Sequence, residues 1–134
     1  MTMATMDGIL WAADRNESVP EGMYRAYMRW YYVQTGKEPR YGQKSWLKKQ
    51  RYEIEINLAK VPDFALPRRP HPTTLDALEA ADGKKGRTTT PPHNDSDAML
   101  GMTPIGYYRR GDAALAYREA ADCAALMQTD ETAI

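Results

Sequence analysis

The chain has 134 residues, which is enough for one domain or for a small helical body with long extended arms. Its 18 Lys and Arg residues balance 18 Asp and Glu residues, so the clear positive excess of a dedicated nucleic-acid binder is absent. The single cysteine, Cys123, excludes an intrachain disulfide and therefore a secreted disulfide scaffold.

The first residues show no targeting signal. Residues 1–11 have no basic flank and lead into only a short apolar run, so they do not resemble a signal peptide or an Arg-rich transit peptide. No stretch reaches the roughly 18 apolar residues of a membrane helix. These features predict an intracellular protein, cytoplasmic or organellar, without a membrane span, and with an N-terminal arm over residues 1–17.

The first predicted helix begins near Ser18 and runs to Gln34. Ser18 and Glu21 have the spacing of a capping box, and Gly36 is suited to end the helix. Tyr and Met side chains repeat along it at intervals of three and four residues, which is the pattern of an amphipathic helix.

Residues 45–60 allow two interpretations. Residues 52–58 alternate between apolar and polar side chains, as a half-buried strand does, but the segment also fits a helical stripe. The helix is favoured because no second clear strand is available for pairing. Residues 18–60 are therefore predicted to form an aromatic and basic helical hairpin.

Proline dominates the next part of the chain. Residues 61–111 are predicted to form an extended, Pro-rich arm that contains a short helix near residues 74–82. Residues 83–104 are poor in large apolar side chains, so we expect contact with other subunits to order them. Asp112 is a suitable N-cap for a last helix, and residues 112–134 are predicted to form this C-terminal helix and a tail.

These elements together predict a mainly α fold: a small helical hairpin and a C-terminal helix, joined by long extended Pro-containing arms. Phe64 is the only Phe, and Val occurs only at positions 19, 33 and 61. Since large cores normally draw on such residues, we expect little independent core.

Aromatic residues are concentrated in the predicted hairpin, where eight of the thirteen lie between Tyr24 and Tyr52. Tyr and Trp combine apolar area with a polar group and are enriched at protein interfaces. We therefore predict that this surface binds other proteins. The residues concerned are Tyr24, Tyr27, Trp30, Tyr31, Tyr32 and Trp46.

A second interpretation of the hairpin starts from its basic residues. Lys44, Lys48, Lys49 and Arg51 could contact phosphates if the two helices and the alternating segment formed a winged helix-turn-helix. Acidic residues within that segment, where a wing facing DNA would be positive, make this the less favoured alternative.

The sequence contains no recognisable catalytic or metal-binding pattern. His71 and His93 lie beside prolines in segments that offer no rigid support for a general base. The scattered His and Cys residues match no common zinc spacing, and no Gly-rich phosphate-binding motif occurs.

The sequence therefore predicts a non-enzymatic accessory or scaffolding subunit of a large multiprotein assembly, without catalytic residues, metal or cofactor. It would bind the other protein subunits through the aromatic helix and the extended arms. The alternative is a small winged-helix DNA-binding protein.

Overall fold

Six helices account for most of the computed structural model, which describes residues 1–40, 43–44, 47, 58, 61–82 and 97–127. In chain order they are α1 (Thr2–Arg15), α2 (Val19–Thr35), α3 (Pro72–Ala81), α4 (Asp97–Gly101), α5 (Thr103–Tyr108) and α6 (Ala113–Ala124). No strand occurs within these described ranges, and the predicted mainly α fold is confirmed. In the same ranges, no helix has the length and apolar character needed to cross a lipid bilayer.

The first helix replaces the arm that the sequence predicted over residues 1–17. One face of the helix is buried and includes Ile9, Trp11 and Ala12, whereas Met3, Met6 and Leu10 are exposed. The C-cap of the helix is Asn16, whose φ of 53° lies in the left-handed region that Asn tolerates better than most residues. The apolar run in this segment is short, and the neighbouring helix supplies the surface that covers it.

The second helix has the predicted ends but not the predicted capping box. Its N-cap is Ser18, and its C-cap is Gly36 with a φ of 65°. The Ser18 side chain makes no capping hydrogen bond, and Glu21 instead accepts a hydrogen bond of 3.0 Å from the Arg25 guanidinium. Backbone stereochemistry rather than a reciprocal side-chain cap therefore marks the two ends.

The backbones of α1 and α2 approach each other closely at two glycines. A Cβ placed on Gly8 would lie 2.6 Å from the Met23 Cα, and a Cβ on Gly22 would lie 2.4 Å from the Gly8 carbonyl oxygen. Real Cβ atoms do not occur at such distances, so the helices can pack this closely only because both positions lack a side chain.

The third helix is joined to α2 by tyrosine hydroxyl groups. Tyr24 donates a hydrogen bond of 2.5 Å to the Ala81 carbonyl, and Tyr32 donates one of 2.6 Å to the Asp82 carboxylate. These bonds satisfy polar groups at the end of α3 while the tyrosine rings remain in the core.

Part of the predicted extended arm is helical. Residues 61–65 form a turn, in which the amides of Phe64 and Ala65 both donate to the Val61 carbonyl at 2.9 Å. We predicted that contact with other subunits orders residues 83–104. The described part of this segment, residues 97–104, forms α4 and the start of α5. Ile105, the next residue of α5, is fully buried. Residues 83–96 and most of the predicted helix over 45–60 lie outside the described residues.

The last helix begins where the sequence placed it. Asp112 is its N-cap, and the carboxylate accepts a hydrogen bond of 2.9 Å from the Leu115 amide. The helix ends at Ala124, and its buried end, including Cys123, packs into the common core with α2 and α5.

The glycine contact generates a stability prediction. Gly22→Ala should destabilise the fold by about 2 kcal/mol or more, because overpacking costs up to about 3 kcal/mol and the gain in helix propensity returns only about 1 kcal/mol. Gly106→Ala is the matched control, since this helical glycine has no atom within 4 Å of an added Cβ. The control should be neutral or slightly stabilising. Urea unfolding measures both variants, and a Gly22→Ala protein as stable as the parent would contradict the packing described.

The thiol of Cys123 should be unreactive in the folded protein. The residue is fully buried, and burial raises the pKa of its thiol, so very little thiolate is present at pH 8. Alkylation by iodoacetamide should therefore proceed only through unfolding and should accelerate across the urea transition. Rapid alkylation without denaturant would show that the end of α6 is not packed in the core.

Candidate functional site

A pocket of about 320 Å³ lies between α1, α2 and the segment 61–68. Its walls contain the N-terminal part of α1, the C-terminal half of α2 and three side chains of the segment. The lining residues with charged or aromatic side chains are Asp7, Arg29, Trp30, Asp63, Phe64 and Arg68. Small-molecule sites commonly combine such a concave apolar surface with a few polar groups.

A buried ion pair forms one wall of this pocket. The Arg29 Nη2 atom lies 3.1 Å from the Asp7 Oδ2 atom, and the Arg29 side chain is only 6% exposed. Burial raises the pKa of Asp7, while the positive charge and hydrogen bond of Arg29 oppose that rise. The Arg29 guanidinium also lies 5.9 Å from the centre of the Trp11 ring, within the range of a cation–π interaction. Asp7 and Trp11 therefore hold Arg29 in a fixed position.

The opposite wall is exposed and carries a second guanidinium group. Arg68 Nη2 donates a hydrogen bond of 3.0 Å to the Asp63 carbonyl, which closes the segment on itself. The side chains of Asp63, Phe64 and Arg68 are all exposed at the pocket, and Trp30 faces them from α2 while half-buried. The rim thus brings together a cation, a carboxylate and two aromatic rings.

The two Asp and two Arg side chains of the lining balance in charge, and the exposed groups offer a ligand one guanidinium group, one carboxylate and two flat rings. A guanidinium group binds phosphate or carboxylate oxygens through charge-assisted hydrogen bonds, and aromatic side chains stack on bases. A carboxylate at the rim can orient or deprotonate water. Across the described part of the chain, no three His, Cys, Asp or Glu side chains come together in a group able to hold a metal ion.

A second concave surface is chemically different. A groove of about 390 Å³ between α1 and α5 is lined by Thr2, Met6, Ile9, Leu10, Thr103, Pro104, Tyr107 and Tyr108. None of these side chains is charged at neutral pH. The pocket beside Arg29 is therefore the stronger candidate for chemistry.

Four of the six residues predicted to bind proteins are buried inside the chain. Tyr24, Tyr27, Tyr31 and Tyr32 belong to the core, where Tyr27 shares a hydrogen bond of 2.7 Å with the Thr5 hydroxyl. Trp30 lines the pocket, and Trp46 lies outside the described residues. The role of these six residues in protein binding stays a prediction. The four buried tyrosines have little exposed area with which to contact another protein.

The predicted phosphate-contacting residues are described only in part. Lys44 is exposed, and its Nζ atom lies 3.4 Å from a carboxylate oxygen of Glu38. Lys48, Lys49 and Arg51 lie outside the described residues. His71 is exposed and shares a hydrogen bond of 2.7 Å with the Thr73 hydroxyl.

Sequence reasoning missed the pocket because its charged residues are far apart along the chain. Asp7 lies in a segment predicted to be an arm, and Arg68 lies in a segment predicted to be extended. Arg29 offered one usable signal, since an arginine within a helix rich in Tyr and Met requires an acidic partner if it is buried. No local spacing indicates that this partner is Asp7.

Comparison with known protein families gives a match over the whole chain. The profile of the family described as ADP-ribosylglycohydrolase matches residues 1–134. The chain therefore belongs to the ADP-ribosylglycohydrolase family. No curated protein and no solved structure matched the chain significantly.

This membership corrects the functional prediction made from the sequence. A family of glycohydrolases is a family of enzymes, so the prediction of a non-enzymatic accessory or scaffolding subunit is wrong. Its alternative, a winged-helix DNA-binding protein, is overturned by the same match. The physical cause of the error is that aromatic area interpreted as a docking surface is largely the interior of this domain.

The ion pair in the pocket wall predicts a charge-specific loss of stability. Asp7→Asn keeps the size of the side chain but leaves the buried Arg29 charge without its carboxylate, so it should destabilise the fold by about 3 kcal/mol. Glu38→Gln is the control, because its pair with Lys44 is exposed and should contribute little. Thermal and urea unfolding at neutral pH compare the two variants. Equal stability of both would show that Asp7 is not essential for burying Arg29.

Proposed function

We propose that the chain acts in the hydrolysis of the glycosidic bond that joins an ADP-ribosyl group to its acceptor. The observation that carries the proposal is the family match over residues 1–134. The pocket between α1, α2 and segment 61–68 is the surface that we assign to substrate contact.

The chemistry of the pocket supports this assignment. An ADP-ribosyl group carries a negatively charged diphosphate and an aromatic base. Arg68 lies at the rim, where its exposed guanidinium group can reach phosphate oxygens, and Trp30 and Phe64 provide flat surfaces for a base or a sugar. Arg29 is already neutralised by Asp7, so it contributes a polar wall with no net charge.

Glycoside hydrolysis passes through a positively charged, oxocarbenium-like transition state, and carboxyl groups commonly assist it. Water adds to the anomeric carbon, and the acceptor leaves with a proton. Asp7 and Asp63 are the two carboxylates that line the pocket. Since Asp7 is held by Arg29, the exposed Asp63 carboxylate is the one that we place beside the attacking water, as the group that accepts its proton.

Arg68→Ala and Arg69→Ala form the matched pair that tests this function. Arg68 lines the pocket, whereas its neighbour Arg69 is exposed and does not line it. With an ADP-ribosylated peptide as substrate and chromatography of released ADP-ribose, Arg68→Ala should raise KM about ten-fold, as expected for one lost charge-assisted hydrogen bond. Arg69→Ala should leave KM unchanged.

Asp63→Asn should lower kcat about 100-fold or more if Asp63 accepts the proton.

Two outcomes would contradict the proposal. A purified chain that neither releases ADP-ribose from such peptides nor binds ADP-ribose in calorimetry would overturn the proposed activity. Equal effects of Arg68→Ala and Arg69→Ala would overturn the assignment of this pocket while leaving the activity in place.

A further inference from the structure

The segment 61–68 forms one wall of the pocket without belonging to a helix. It contributes Asp63, Phe64 and Arg68 to the lining. Its hydrogen bonds at Val61, Phe64 and Ala65 are local, so they shape the turn but do not fix its distance from α2. The width of the pocket therefore depends on side-chain contacts between this segment and the helix.

Gln34, in the last turn of α2, makes such contacts with both of its amide atoms. Its Nε2 atom donates a hydrogen bond of 3.4 Å to the Leu66 carbonyl, and its Oε1 atom accepts a hydrogen bond from the Arg68 amide. A carboxamide is well suited to this geometry, because its NH2 group can donate to a backbone carbonyl while its oxygen accepts from a backbone amide.

The contact extends from Gln34 to the groups that meet the ligand. Fixing the Arg68 backbone limits where its guanidinium group can reach, and that group in turn donates to the Asp63 carbonyl at 3.0 Å. Asp63 and Arg68 are thus tied to each other and, through Gln34, to α2.

We propose that Gln34 is a positioning residue, which sets the placement of Arg68 and Asp63 over the pocket. This inference rests on the proposed function, because it concerns binding of the ADP-ribosyl substrate at the same site. Gln34 itself does not line the pocket and is not a catalytic residue.

Three variants test the inference. Gln34→Met keeps the length of the side chain and removes both hydrogen bonds, whereas Gln34→Glu keeps an acceptor for the Arg68 amide and loses the donor. Lys37→Met is the control, since Lys37 lies just beyond the end of α2 but contacts Tyr31 and Glu79 on the α3 side.

Hydrogen exchange of the Arg68 amide, followed by NMR, reports the contact without any substrate. Exchange should be faster in Gln34→Met and close to the parent rate in Gln34→Glu and Lys37→Met. The KM for the ADP-ribosylated peptide and the Kd for ADP-ribose should rise three- to ten-fold in Gln34→Met, about the effect of one or two net hydrogen bonds. The kcat should fall as well, because the placement of Asp63 beside the attacking water depends on the same contact. Gln34→Glu should restore part of this loss, which a general loss of stability would not explain.

The possible failures are distinguishable. Unchanged amide exchange or unchanged KM in Gln34→Met, with a parent chain that binds ADP-ribose, overturns the positioning role alone. A parent chain without binding or hydrolysis overturns the proposed function and this inference with it, while the exchange data still decide whether the Gln34 contact forms in solution.

Discussion

The rest of the structure depends on the close contact between the backbones of α1 and α2 at Gly8 and Gly22. Because no side chain separates the helices there, their relative position is fixed by backbone atoms, which cannot change rotamer. The neighbouring cross-helix pairs follow from this position. Thr5 reaches the hydroxyl of Tyr27, and Asp7 reaches the guanidinium group of Arg29. The polar wall of the pocket is therefore a consequence of how closely the first two helices pack.

A core rich in tyrosine needs partners for its hydroxyl groups, and the arrangement of the helices supplies them. Tyr27 pairs with a threonine of α1, while Tyr24 and Tyr32 pair with groups at the end of α3. An unpaired hydroxyl in the interior would cost about 1–3 kcal/mol, so these bonds allow tyrosine to do what phenylalanine does in most cores. The scarcity of Phe and Val in the sequence is accordingly compatible with a well-buried interior.

Local sequence signals predicted the ends of helices, whereas helix α1 and the pocket depend on contacts between distant parts of the chain. Ser18, Gly36 and Asp112 lie at the helix ends where the sequence predicted them, although the capping box predicted for Ser18 and Glu21 does not form. Helix α1 was missed because its apolar face is recognisable only once α2 covers it. The same limit applies to the site. Asp7 and Arg68 are 61 positions apart, and no spacing rule connects an arm residue with a residue of a Pro-rich segment.

The two walls of the pocket differ in how firmly they are held. On the α1–α2 side, the lining groups are attached to a buried backbone contact and a nearly buried ion pair. On the other side, the segment 61–68 is joined to α2 by hydrogen bonds of Gln34 that lie at the surface, where water competes for both partners. Local opening is least costly where few buried contacts are lost. A ligand entering the pocket would therefore meet a firmly held wall carrying Arg29 and a less firmly held wall carrying Arg68.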